Sequence, residues 1–200
     1  MAHSAIAFLG PQGAAAEAAA IRYFGSGSQR CAYASLDAVH AAVAGGACAY
    51  GVLPLESSVD GPINRSHDLL FAGAVKVVGQ VLQPCPADSR TGLNDACVRY
   101  GVIAGPAHPP HVDDDHLMVA VSLPQRPGSL LELLSPLARR RLSVEHWCTR
   151  PARVEGWHYR FHFTISAPPD SEDVRQALQD AAAFASELKV LGRYRSKSRI

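Results

Sequence analysis

The sequence has almost no net charge: 19 Lys and Arg stand against 18 Asp and Glu, leaving +1 over 200 residues. A balance that close supplies no general pull towards nucleic acid or an anionic membrane surface. Long hydrophobic runs are missing as well. No apolar stretch reaches the length of a membrane span, and "MAHSAIAFLGPQG" lacks a charged segment followed by a long apolar one, so no signal peptide is expected. Cysteine is sparse: Cys31, Cys48, Cys85, Cys97 and Cys148 are odd in number and scattered, which fits neither a disulfide framework nor a zinc motif. The expectation is a soluble cytoplasmic protein with reduced thiols, no cofactor, no metal, and neither nucleic acid nor membrane as partner. The basic tail "RYRSKSR" reads as a frayed, solvated terminus.

What is present is enough apolar material for a core. With 48% hydrophobic residues, the chain suits one large domain or two small ones. The first half alternates. "AIAFLG" reads as a buried strand and "PQGAAAEAAAIRYFG" as an alanine-rich helix closed by Gly25. "CAYAS", "YGVLPL" and "AVKVVGQVLQ" read as further strands, with "LDAVHAAVAGG" and "NRSHDLLFAG" as the helices between them. Strands separated by helices predict a parallel-rich sheet. From Pro84 to Asp115 the pattern gives way to Pro, Gly and Asp, with only a brief "ACVRYGVIA" between, as in a linker or the remnant of something deleted. After His116 the order strand, helix, two strands, helix, strand predicts a ferredoxin-like βαββαβ unit. No repeat relates the halves.

Two turns carry candidate chemistry. Gly10 and Gly13 lie between a strand and a helix, where free N–H groups can hold a carboxylate or phosphate. The spacing is not a dinucleotide fingerprint, and the loop taken alone reads first as a plain structural turn. In "PLESSVDGP", Glu56, Ser57 and Ser58 stand at the C-terminal end of a strand, where ligands of open α/β sheets lie. The serines can donate to a carboxylate and Glu56 can act as acid, base or cap; the alternative is a capping cluster. "HPPHVDDDH" holds His108, His111 and His116 beside three aspartates, but its prolines fit a solvated linker rather than a metal site. His158 and His162 read as face residues of one strand.

Taken in order, "AFLGPQG", "GVLPLESSVDGPINRSHDLL", "RPGSLL" and "TRP" resemble the prephenate dehydratase family over about the first eighty and last eighty-five residues. The resemblance implies one lobe of a periplasmic-binding-protein-like catalytic domain in residues 1–83, a linker or lobe remnant in 84–115, and an ACT domain in 116–200. It implies removal of water and carbon dioxide from prephenate to give phenylpyruvate, in phenylalanine or aromatic-derived biosynthesis. It implies Glu56 and Ser58 as catalytic groups, and Gly10, Gly13, Ser57, Arg65 and Ser66 as substrate ligands, with His67 as an alternative acid. It places an aromatic amino acid effector near Gly128, Ser129, Leu130 and Leu131 and near Thr149, Arg150 and Pro151, at the interface of a homodimer or higher oligomer.

Departures from the family pattern are specific. Ala14, Ala15 and Ala16 stand where the family has hydroxyl and aromatic residues. The family's Glu-Asn-Ser is Glu56-Ser57-Ser58, and its Glu-Ser-Arg-Pro is Cys148-Thr149-Arg150-Pro151. The second lobe, with its catalytic Thr-Arg-Phe motif, has no room here; "ACVRYGVIA" resembles the return towards that motif, and no Thr-Arg-Phe follows. Three functions stay open on the sequence: a shortened dehydratase, a non-catalytic sensor of an aromatic amino acid or assembly protein, and a decayed paralogue.

Overall fold

The computed structural model describes residues 5–85, 96–152 and 158–195. The end of the basic tail, 196–200, lies outside them. The chain divides into two compact units, the first running to Pro109 and the second from Pro110 to Arg195. Both are mixed α/β, as the sequence predicts.

The first unit opens with β1 (Ile6–Leu9), α1 (Ala15–Phe24), β2 (Arg30–Tyr33), α2 (Leu36–Ala44) and β3 (Tyr50–Ser57). It continues with β4 (Gly61–Pro62), α3 (Asn64–Ala72), β5 (Lys76–Pro84) and β6 (Cys97–Ala104). The strand order is β2-β1-β3-β6-β5, with β4 pairing back on β3. β1 runs parallel to β2 and β3, as two βαβ crossovers require. β6 lies antiparallel between β3 and β5, so the sheet is mixed. That strand is the brief apolar stretch which the sequence sets inside a Pro- and Gly-rich connection.

Strand alternation sorts the core onto two faces. Ile6, Phe8, Val52, Val81, Tyr100 and Val102 pack against Ala16, Ala19 and Ala20 of α1. On the opposite face α2 comes so close that a Cβ at Gly51 would meet Val43, Val39 and Ile103. Three alanines let α1 approach this closely. A hydroxyl and an aromatic at positions 14–16 would demand more room, and Ala16 is buried. Gly25 ends α1 at φ +90, a conformation glycine adopts without a Cβ penalty. Ser35 starts α2 by accepting the Ala38 N–H at 3.1 Å.

The second unit is β7 (His116–Ser122), α4 (Ser129–Arg139), β8 (Ser143–Pro151), β9 (Tyr159–Ser166), α5 (Glu172–Ala182) and β10 (Glu187–Tyr194). Its antiparallel sheet has the order β10-β7-β9-β8. Leu133 and Leu137 of α4 share one core with Val174, Ala177 and Ala181 of α5, so both helices cover the same face, against Leu117, Val119, Phe163 and Ile165. Ser171 caps α5 through the Val174 N–H, with Glu172 and Asp173 in the first turn where the macrodipole favours them. No helix among the described residues is long and apolar enough to cross a membrane.

Candidate functional site

β3 ends in a tight reversal. Glu56 faces Pro62 and Ser57 faces Gly61 of β4, and Gly61 has φ +79. Ser57 builds the turn: its Oγ accepts from the N–H groups of Val59 (3.2 Å) and Asp60 (3.1 Å) and donates towards the Asp60 carboxylate (3.4 Å). Ser58 is fastened to β6 twice. Its N–H donates to the Cys97 carbonyl and its Oγ accepts the Cys97 N–H, each at 2.9 Å. Ser57 and Ser58 thus cap the turn and fasten it to β6, as the capping alternative expects.

In the same ladder Glu56 faces Arg99 and Ser57 faces Val98. Neighbours on a strand leave opposite faces, and the side chains follow. Glu56 forms an ion pair with the Arg99 guanidinium. Ser57 lines a cleft of about 380 Å³ with Pro54, Val59, Ile63, Val98 and Tyr100, and with Asp60 and Cys85 at its margin. The volume lies within the range of small-molecule sites, at the C-terminal end of a parallel strand. Burial, then the nearby Cys85 thiol, pushes the Tyr100 phenol up to about 12. Removing an ionised phenolate from water is what costs energy here.

The remaining first-unit candidates are placed elsewhere. The Gly10 N–H donates to the Tyr33 carbonyl at 2.8 Å, and the Gly13 N–H donates to Glu17 Oε2 at 2.7 Å. The second oxygen of Glu17 pairs with Arg30 at 3.3 Å. The chain's own carboxylate thus holds the Gly13 amide, and that bond draws the Glu17 carboxyl below its ordinary value. Arg65 pairs with Asp37 of α2 on the surface. Ser66 is fully buried with no hydrogen-bond partner for its hydroxyl, which points into packing instead of a cleft. His67 is buried too, its Nε2 3.2 Å from the Leu55 carbonyl oxygen.

In the second unit Gly128 (φ +85) turns the chain into α4. The buried Ser129 hydroxyl donates to the carbonyls of Pro124 (2.7 Å) and Arg126 (3.0 Å). Ser129 and Leu130 line a cleft of about 190 Å³ with Leu123, Arg126, Tyr159 and Phe161. Thr149 and Pro151 lie opposite Phe161 and Tyr159 in the β8–β9 register, and Arg150 lies opposite Arg160. Leu131 is largely exposed beside the cleft. This candidate group is therefore split between the cleft wall and the neighbouring strand.

No group of three or more His, Cys, Asp or Glu among the described residues is placed to hold a metal ion. The "HPPHVDDDH" side chains are engaged in turns and ion pairs: Asp114 accepts the His111 N–H and pairs with Arg193, both at 3.1 Å.

Sequence reasoning passed over Arg99, Tyr100 and Glu17. An arginine inside the apolar run "ACVRYGVIA" was the available signal for the first. Glu17, three residues after the helix cap Ala14, stands where a capping acid belongs.

The family model described as prephenate dehydratase matches residues 6–86. The bifunctional chorismate mutase/prephenate dehydratase of Pseudomonas aeruginosa is 25% identical over 265 residues, covering 94% of this chain and 72% of its own length. That of Stutzerimonas stutzeri is 26% identical over 264 residues, with the same coverage. Both alignments are longer than this chain, so each relative carries residues in that span with no counterpart here.

Among solved structures, GqqA, described as a novel type of quorum quenching acylase, superposes with a TM-score of 0.82 at 21% identity, covering 96% of this chain and 95% of its own. The prephenate dehydratase of Streptococcus mutans gives 0.80 at 22%, covering 97% and 99%. That of Arthrobacter aurescens in complex with L-Phe gives 0.82 at 19%, covering 96% and 89%. These structures share the fold.

Proposed function

From a chain that belongs to the prephenate dehydratase family through residues 6–86, we propose a protein that dehydrates and decarboxylates prephenate, or a related cyclohexadienyl acid, to phenylpyruvate, in phenylalanine supply or an aromatic-derived pathway. The observation that carries this reading is the cleft at the end of β3, with Ser57 and Tyr100 on its wall.

The reaction needs two oriented carboxylates, a group that assists the departing hydroxyl, and an apolar surround for the ring. Pro54, Val59, Ile63 and Val98 supply the apolar wall. Arg99 and Glu56 leave the face of the ladder opposite Ser57 and Val98, and their ion pair holds β3 to β6 behind the cleft. The Arg99 Nε–H is buried and has no partner, so the guanidinium is not saturated by Glu56. Ser58 serves the site through β6 by holding Cys97, and the Gly10–Gly13 loop takes up a carboxylate only by displacing Glu17.

The ends of β5 and β6 pair directly, Pro84 opposite Cys97. A second copy of the chain covers the open side of the cleft in this reading. The second unit acts as the ACT domain, taking an aromatic amino acid between the Gly128–Leu131 turn and the β8–β9 pair.

The non-catalytic sensor is favoured by one observation, the occupation of the Gly13 amide by Glu17. Turnover of prephenate by the wild type and by Ser57→Ala separates the two. The dehydratase reading expects phenylpyruvate above the spontaneous rate and a loss in the variant. The sensor reading expects neither.

A further inference from the structure

Tyr100 is only 5% exposed, yet it lines the cleft beside Ser57 and Val98. Its hydroxyl meets no hydrogen-bond partner among the described residues, although its oxygen is not sealed within protein. An oxygen open to the cleft is available to bond what occupies it, and a tyrosine hydroxyl at the edge of an apolar surface usually finds a partner. Packing alone does not call for this oxygen. The ring lies in the apolar cluster with Phe8, Ala16, Ala19 and Val102, where a phenylalanine ring fills the same space. The hydroxyl is therefore an unspent donor at the polar end of an otherwise apolar wall. Val98, two residues earlier on the same strand face, brings no hydrogen-bonding group to that wall.

We propose that the Tyr100 hydroxyl donates the hydrogen bond that receives the departing hydroxyl of the substrate, a role that rests on the dehydration reading above. In the step, the ring C–O bond breaks with its electron pair going to oxygen. The C–C bond to the ring carboxylate breaks with its pair entering the ring, releasing carbon dioxide. The departing oxygen, hydrogen-bonded by Tyr100 as charge builds on it, takes one proton from solvent and leaves as water. A dianion and one proton thus give phenylpyruvate anion, carbon dioxide and water. Because burial holds the phenol protonated up to about pH 12, the donor is present across the whole neutral range, and the donor's own titration puts no limb in the pH profile there.

The test is Tyr100→Phe, with turnover, KM and melting temperature measured together, and Val98→Thr added to it as a rescue. Loss of one positioned donor lowers kcat by about 10²–10³-fold. KM changes little, and the melting temperature holds, because no hydrogen bond to another protein group has been lost. The added threonine restores at least tenfold of the loss. Turnover of Tyr100→Phe within twofold of wild type overturns the proposal while leaving the dehydratase reading intact. So does a loss that comes with a lower melting temperature and that Val98→Thr does not rescue, which assigns the oxygen to packing. A wild type that forms no phenylpyruvate defeats the dehydratase reading itself and this role with it, and that result is visible before any variant is made.

Discussion

The Glu56 carboxylate and the Arg99 guanidinium form an ion pair between facing positions of β3 and β6, although 43 residues separate them in sequence. Their side chains are about one-third and one-fifth exposed, at 33% and 18%. Such a pair stands between the exposed class, which contributes little, and the buried class, in which removing one partner strands a charge. Glu56→Gln or Arg99→Met alone should cost about 1–3 kcal/mol in denaturant unfolding. The double variant should cost less than the sum by at least about 0.5 kcal/mol. Strict additivity would show that the pair is bystander geometry.

Ser58→Ala tests a different bond. On sequence alone the serine sits in a turn and its replacement leaves the fold undisturbed. The structure joins its Oγ to the Cys97 N–H at 2.9 Å. Loss of that acceptor should lower stability by about 1 kcal/mol and melting temperature by about 2–4 °C. An unchanged thermal transition would mean the β3–β6 junction does not depend on the side chain.

Glu17 makes the Gly13 loop pH-dependent. Its folded carboxyl lies below the ordinary 4.5, first because it accepts the Gly13 N–H and then because of Arg30. A depressed carboxyl stabilises the fold above its unfolded value, and the contribution is lost as pH falls through the folded one. The Gly13 amide resonance should therefore hold its position at neutral pH and move only below about 4.5. Glu17→Gln should abolish that movement. A Gly13 amide that titrates identically in both proteins contradicts the contact.

Gly128 tests the proposed effector cleft. At φ +85 a β-branched residue is strained, and the turn that presents Ser129 and Leu130 depends on this conformation. Gly128→Val should weaken L-phenylalanine binding at least tenfold by calorimetry, while the first unit's unfolding is unaffected. Equal affinity in both proteins would move the ligand away from this turn.

Local order was legible where the period of apolar residues carried it. Ile6 to Leu9, the alanine helix ending at Gly25 and the βαββαβ order of the second unit all follow from short-range signals. Pairing between distant strands is not written in any window, so the antiparallel seat of β6 between β3 and β5 was not readable, and Arg99 was lost with it. The strand period also separates Glu56 from Ser57, which adjacency in sequence had grouped into one site. Ser66 illustrates the opposite limit. The resemblance implies Ser66 as a ligand, yet the helix turns it fully into the core.

The central claim is catalysis, and it is tested most directly by incubating the purified chain with prephenate and following phenylpyruvate absorbance against a protein-free control at the same pH. The account predicts formation that exceeds the spontaneous rate, scales with protein concentration and saturates with substrate. A rate indistinguishable from the control at every protein concentration would contradict it.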